Sequence, residues 1–232
     1  MVAVTREQVL QDHRHVLRIR LVVHYMEIDG TSPSGPPASE NHWSLFFIVS
    51  DESSVRANMS APDLAKRNGE LVWENHNYIL TNSAISYWDF EVTAMIRVAE
   101  IASLFDGLAR HDYDMAPGGS GCRWWCYTVL GDLEEWGYIK PGSQAGMLQN
   151  LNHKYYRYPN GHRVPHIMPE GEFFPRSVPI AFSGSPGQTW VSFNINNRIV
   201  TTPLNEWILE GNPQDGYSRR HHRYNLFFIP PM

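Results

Sequence analysis

The chain lacks what would mark a disulfide-built, membrane-spanning or nucleic-acid-binding protein. Two cysteines among 232 residues are too few for a disulfide framework. They stand at 122 and 126 on one predicted helix, a poor arrangement for bridging each other. No run approaches the ~20 consecutive apolar residues that a membrane-crossing helix needs. The opening stretch, Met1-Val2-Ala3-Val4-Thr5-Arg6-Glu7, is too polar for a secretory signal. A cytoplasmic, reducing setting is therefore expected, and the glycosylation sequon Asn58-Met59-Ser60 carries little weight. Basic charge is also scarce: 19 Lys and Arg against 24 Asp and Glu give a net charge of −5. That leaves no broad positive field for nucleic acid. Arg219-Arg220-His221-His222-Arg223 is a local exception, read as a solvated patch.

What the chain does have is apolar and aromatic. Hydrophobic residues make up 42% and charged residues 19%, enough for one sizeable core. The 8 Trp, 11 Tyr and 10 Phe either fill that core or line a cleft. Residues 15–26 alternate, with Ile19, Leu21, Val23 and Tyr25 opposite Arg18, Arg20 and His24, which predicts a half-buried strand. After a proline-rich loop from Thr31 to Ser39, His42-Trp43-Ser44-Leu45-Phe46-Phe47-Ile48-Val49 is too apolar on both faces for the surface, and predicts a central strand. Residues 54–59 read as its hairpin partner, and 70–80 and 86–92 as further strands. From Val92 the period turns helical through Met95, Val98, Ala99, Ala102 and Phe105. Beyond 140, prolines break up the pattern, and Trp190 to Thr201 is the one convincing strand, with a bend near its centre. The expected organisation is an α+β core over residues 1–140 with a loop-rich extension, 141–232, packed on it as a single domain.

Chemistry concentrates at Cys122. The turn Gly118-Gly119-Ser120-Gly121 delivers the chain to a helix that Cys122 begins. A thiol in a first helical turn meets unpaired N–H groups and the positive end of the backbone dipole, both of which favour thiolate. The helix carries Cys122, Cys126, Val129, Leu130 and Leu133 on one face, with Gly137 as its stop. A cysteine nucleophile needs a base, and a polar group to orient that base. His42, at the head of the central strand, is the candidate base, and Asn58 on the hairpin partner the candidate orienting group. Matching polar face to polar face puts His42, Arg56 and Asn58 together; the register that separates them mixes the faces.

His42-Trp43-Ser44-Leu45-Phe46, the Asn58 hairpin, a helix, then Tyr113 and the Gly121-Cys122 helix resemble the layout of the permuted NlpC/P60 superfamily, nearest to its lecithin retinol acyltransferase-like branch. The resemblance covers about 42–135. It implies a permuted papain-like core, a central antiparallel sheet packed on the nucleophile helix, with acyl-thioester chemistry on lipid, amide or peptide substrates. Onto this chain it carries Cys122 as nucleophile, His42 as base and Asn58 as orienting residue, where that branch commonly has histidine. The branch's N-C-E-H-F is here Gly121-Cys122-Arg123-Trp124-Trp125, a departure that bears on substrate class. The chain is also similar to uncharacterised fungal proteins with H-W-S and G-C-R-x-W motifs, which implies a fungal origin and a place in small-molecule metabolism.

The expected function is thus cysteine-dependent acyl transfer or hydrolysis of a small-molecule ester, thioester or amide, without a cofactor. Backbone N–H groups around 121–123 would hold the oxyanion. Arg56, Trp43, Gly121, Arg123, Trp124 and Trp125 are the expected substrate-binding residues, the tryptophans walling an acyl pocket. Other readings stay open. One is a binding module on the same fold without chemistry, Cys122 and His42 then being an inert core thiol and a strand histidine. Another makes the glycine turn an anion receptor, although it lacks the Lys-Ser/Thr ending of a P-loop. No metal is expected: His153, His162 and His166 cluster, but Gly161 and Pro165 spoil the helical spacing that ligation would use.

Overall fold

The computed structural model describes residues 2–26, 40–63, 66–117, 119–157, 162–174, 190–195 and 198–203. The Thr31–Ser39 loop, Gly118 and the 219–223 basic cluster lie outside them. In chain order the elements are β1 (Val2–Val4), α1 (Arg6–Val9), β2 (Arg18–Met26), β3 (Glu40–Ser50), β4 (Ser53–Ser60), β5 (Glu70–His76), β6 (Ala84–Glu91), α2 (Val98–Gly107), β7 (Tyr113–Asp114), α3 (Cys122–Glu135), α4 (Ser143–Leu151), β8 (His153–Tyr155), β9 (Arg163–Pro165), β10 (Glu172–Phe173), β11 (Trp190–Ile195) and β12 (Arg198–Pro203). Among the described residues no helix is long and apolar enough to cross a membrane.

The architecture is α+β. A six-stranded sheet runs in the order β1-β5-β4-β3-β2-β6, every pairing antiparallel. The apolar β3 is central, as its composition predicts. Its odd positions, Trp43, Leu45 and Phe47, meet Ile19, Leu21, Val23, Val55, Ala57 and Met59 from neighbouring strands and the inner faces of α2 and α3. Ile101, Phe105, Cys126, Val129, Leu130 and Leu133 close this core from the helix side, each essentially buried. Helix α3 begins at Cys122 and gives way at Trp136 to Gly137, whose φ of +70° reverses the chain without the steric cost a side chain would bring.

Three expectations change. Strand β2 is buried on both faces, because its polar side has partners from β6: Arg20 donates from Nε to Asp89 Oδ1 at 2.7 Å and from Nη2 to Asp89 Oδ2 at 2.9 Å. Residues after 140 are not simply loop-rich. Helix α4 packs on α3, its N-terminal amides capped from across the contact where Glu134 accepts from Gly142 N at 2.8 Å and Gln144 N at 2.9 Å. The first compact unit accordingly runs through Ser177 and the second begins at Val178. In that second unit Trp190–Thr201 is not one strand: β11 and β12 pair with each other from Trp190↔Pro203 to Ile195↔Arg198.

Candidate active site

Alternation puts His42 and the Cys122 helix on opposite faces of the sheet, since Trp43, not His42, points toward α3. A break in the ladder reunites them. Pairing between β3 and β4 stops at Leu45↔Ala57. Strand β3 nevertheless follows β2 as far as Glu40↔Met26, and β4 follows β5 as far as Ser60↔Glu70. The two central strands therefore part, and the start of α3 meets the opening. A cavity of about 770 Å³ lies there, with His42 from one strand, Arg56 and Asn58 from the other, and Gly119, Ser120, Gly121, Cys122 and Arg123 from the helix start on its wall.

His42 Nε2 hydrogen-bonds to Asn58 Oδ1. A carboxamide oxygen only accepts, so Nε2 carries the proton and the basic lone pair sits on Nδ1. Burial, and then the nearby Arg56 cation, push the His42 pKa down to about 4, against the Asn58 contact that raises it. The imidazole is neutral at pH 7.

Cys122 is 7% exposed. Burial pushes its thiol up. The Trp43 amide, the Arg123 guanidinium and the amides of Arg123 and Cys122 oppose that rise without cancelling it. The expected acidified thiol is therefore not found: desolvation, which the local helix argument does not contain, outweighs the amides. No hydrogen bond joins imidazole and thiol among the described residues; the sulfur faces the Trp43 N–H, next in sequence to His42. Cys126, one turn deeper, is fully buried and raised further.

The helix start is fixed by Tyr113 on β7, whose hydroxyl donates to the Gly121 carbonyl at 2.8 Å. Gly121 sits at φ +129°, and a Cβ there would lie 2.9 Å from that hydroxyl and 3.2 Å from the Ala116 N. Glycine is required at this position both by conformation and by space. On β3, next to His42, Asn41 holds β8 beside the cavity: its Nδ2 donates to the Tyr155 carbonyl at 2.8 Å and its Oδ1 accepts from the Tyr155 N–H at 2.5 Å.

Behind His42 lies a polar network. Arg56 Nε donates to Ser44 Oγ at 3.0 Å and Nη1 to Glu74 Oε2 at 3.0 Å. Ser44 Oγ is 2.7 Å from His24 Nε2, whose Nδ1 is 3.1 Å from Ser83 Oγ. Ser44 Oγ thus accepts from Arg56 and bridges it to His24, whose tautomer sets which way the protons run in the contacts to Ser44 and Ser83. Burial, then the Arg56 charge, push His24 down to about 2. Its ring centroid lies 5.7 Å from that of His42.

Of the residues singled out from sequence, Cys122, His42, Asn58, Arg56, Gly121 and Arg123 share the cavity wall. The tryptophans do not. Trp43 is fully buried and stacks on Trp88 at 5.5 Å; Trp125 is fully buried and donates from Nε1 to the Arg110 carbonyl at 2.7 Å; Trp124 packs on Tyr127. They stabilise the core instead of walling a pocket, and for Trp43 strand parity alone already placed it opposite His42. Sequence reasoning missed His24, Ser44 and Glu74. Their only signal was polar residues on the same strand parity as His42 and Arg56. Among the described residues no three His, Cys, Asp or Glu side chains group as metal ligands; His153 Nδ1 instead donates to the Gln149 carbonyl at 2.6 Å.

Residues 19–174 match the family described as Domain of unknown function (DUF7770), and the chain belongs to that family. The match spans both strands of the opened ladder, the Cys122 helix and β8. No curated protein and no solved structure matches the chain.

Proposed function

We propose that this protein is a cysteine-dependent acyltransferase or hydrolase with a permuted papain-like core. The observation that carries the reading is the orientation of His42. Its Nε2–H is held by Asn58, which leaves Nδ1 as the base, within a cavity that also exposes Cys122. The antiparallel sheet packed on the helix that Cys122 begins is the arrangement such chemistry uses.

Because thiol and imidazole both rest neutral, His42 acts as a general base and no ion pair is preformed. Nδ1 takes the Sγ proton as sulfur attacks the carbonyl carbon of an ester, thioester or amide. The carbonyl π pair moves onto oxygen, where the Cys122 and Arg123 amides and the Trp43 N–H are the available donors. Collapse breaks the bond to the leaving group, which departs with the proton from His42, and the acyl group stays on Sγ as a thioester. Water or an amine then attacks, gives its proton to Nδ1, and the thiolate leaves to be reprotonated by the imidazolium.

The test is acyl trapping. Wild-type protein incubated with a neutral p-nitrophenyl ester gains one acyl mass on Cys122, read by intact-mass and peptide mass spectrometry. Cys122→Ser abolishes the adduct, and His42→Gln slows its formation by about a hundredfold or more. An unlabelled Cys122 in folded protein overturns the proposal. It would favour the second reading, a binding module on the same fold, which the burial and raised pKa of the thiol support.

A further inference from the structure

The chain carries a net charge of −5, yet the described residues on the cavity wall include Arg56, Arg123 and Lys154 and no carboxylate. Arg56 is the telling one. Its side chain is only 16% exposed. Ser44 fixes Nε and Glu74 fixes Nη1, while Nη2 has no hydrogen-bond partner among the described residues. A guanidinium locked on two sides is preorganised to offer its third nitrogen to an oxyanion. Arg123, at the mouth of α3, is 5% exposed and is positioned over the Trp43 ring at 5.7 Å. The first turn of α3 holds no acidic residue that would oppose an anion in the same cavity.

We propose that the substrate is an anionic acyl compound, bearing a carboxylate or phosphate apart from its reacting carbonyl, and that Arg56 and Arg123 hold that anion. This deepens the acyl-transfer reading and rests on it for the word substrate; the anion site itself does not need the chemistry. Both groups share the feature recognised, a delocalised oxyanion that accepts parallel N–H bonds.

Two measurements separate the ideas. On Cys122→Ser, which removes the thiol, calorimetry at constant ionic strength is run with succinate, inorganic phosphate and uncharged succinamide. Succinate or phosphate binds at least about tenfold more tightly than succinamide, and Arg56→Gln or Arg123→Gln removes the difference. Which anion binds more tightly identifies the source. On wild type, acylation of Cys122 by p-nitrophenyl hemisuccinate exceeds that by p-nitrophenyl butyrate by about tenfold, and Arg123→Gln equalises the two. Arg56 sits in a buried network, so if its variant misfolds the Arg123 variant and the wild-type ester ratio decide. Equal affinities together with equal ester rates overturn the anion proposal while leaving cysteine acylation standing. Anion binding with an unlabelled Cys122 does the reverse.

Discussion

Acidification should destabilise this protein through its buried imidazoles. His42 is held at about 4 and His24 at about 2, each from an ordinary 6.5, and His76 is lowered too, chiefly by burial. A depressed imidazole binds its proton more readily in the unfolded chain, so stability is fully present above pH 6.5 and falls as pH drops toward the folded value. At pH 5 the unfolded rings are almost fully charged and the folded ones mainly neutral. The gap of about 1.5 pH units costs ~2 kcal/mol per ring, or ~4 kcal/mol for His42 and His24 together. Protonating one ring disfavours the other at 5.7 Å, which keeps both neutral to lower pH. Against a typical total of about 5–15 kcal/mol, the loss lowers the thermal midpoint by roughly 8–16 °C between pH 7 and 5. Urea titrations at both pH values measure it. His24→Gln, whose amide can still bond Ser44 and Ser83, should remove about half of the pH dependence. Equal stability at pH 7 and 5, or an NMR titration of His42 centred near 6.5, would refute the reasoning.

Three further outcomes follow from the same geometry. Gly121→Ala places a Cβ 2.9 Å from the Tyr113 hydroxyl at a φ of +129°; it should cost about 1–3 kcal/mol of stability and impair Cys122 acylation, and an unchanged midpoint contradicts the account. Asn41→Ala strips both hydrogen bonds from Tyr155. A loss of about 2 kcal/mol is expected, with faster amide exchange at Tyr155 as the local readout; retained protection there would show that β8 is held by something else. Alkylation of Cys122 by iodoacetamide should be slow at pH 6–7 and still climbing at pH 9, because burial raises the thiol. A plateau below pH 7 would instead reveal a preformed thiolate–imidazolium pair.

Much of the sheet was legible because its signals are local. The two-sided apolarity of residues 42–49 makes β3 central, and matching polar to polar in 54–59 gives the parity in which Phe46↔Arg56 and Ile48↔Ser54 pair. The glycine turn places the Cys122 helix, and the period through Val98, Ala99, Ala102 and Phe105 places α2, which begins at Val98 and leaves Met95 outside it and exposed. What escaped depends on tertiary contacts. Nothing near Arg20 announces Asp89, so β2 read as half-exposed; α4 read as loop because its cap, Glu134, lies only 8 residues before Gly142 but on another helix, α3. The thiol illustrates the same divide. Helix polarity is readable from sequence and favours thiolate, whereas the desolvation that outweighs it is imposed by the whole fold. The aromatic surplus gave no indication of side; only the alternation of His42 and Trp43 along one strand separates a cavity residue from a core residue.

The position of Arg56 bears on how a neutral pair is brought to react. Its cation is one of the causes that depress His42, so without a ligand it works against the imidazolium that the proposed thiol attack would generate. An anion seated on Arg56 opposes that influence, since it adds negative charge beside a guanidinium already paired with Glu74. The His42 pKa would then rise, and in the proposed mechanism transfer of the thiol proton would become easier with an anionic end in place than without it. Activation would thereby be coupled to recognition, protecting the thiol from unproductive electrophiles. The check is an NMR titration of His42 in Cys122→Ser with and without saturating succinate or phosphate. An upward shift of the midpoint is expected, and Arg56→Gln should raise the midpoint of the empty protein and shrink the ligand-induced change. A midpoint that stays put on saturation would break the link between the guanidinium and the base.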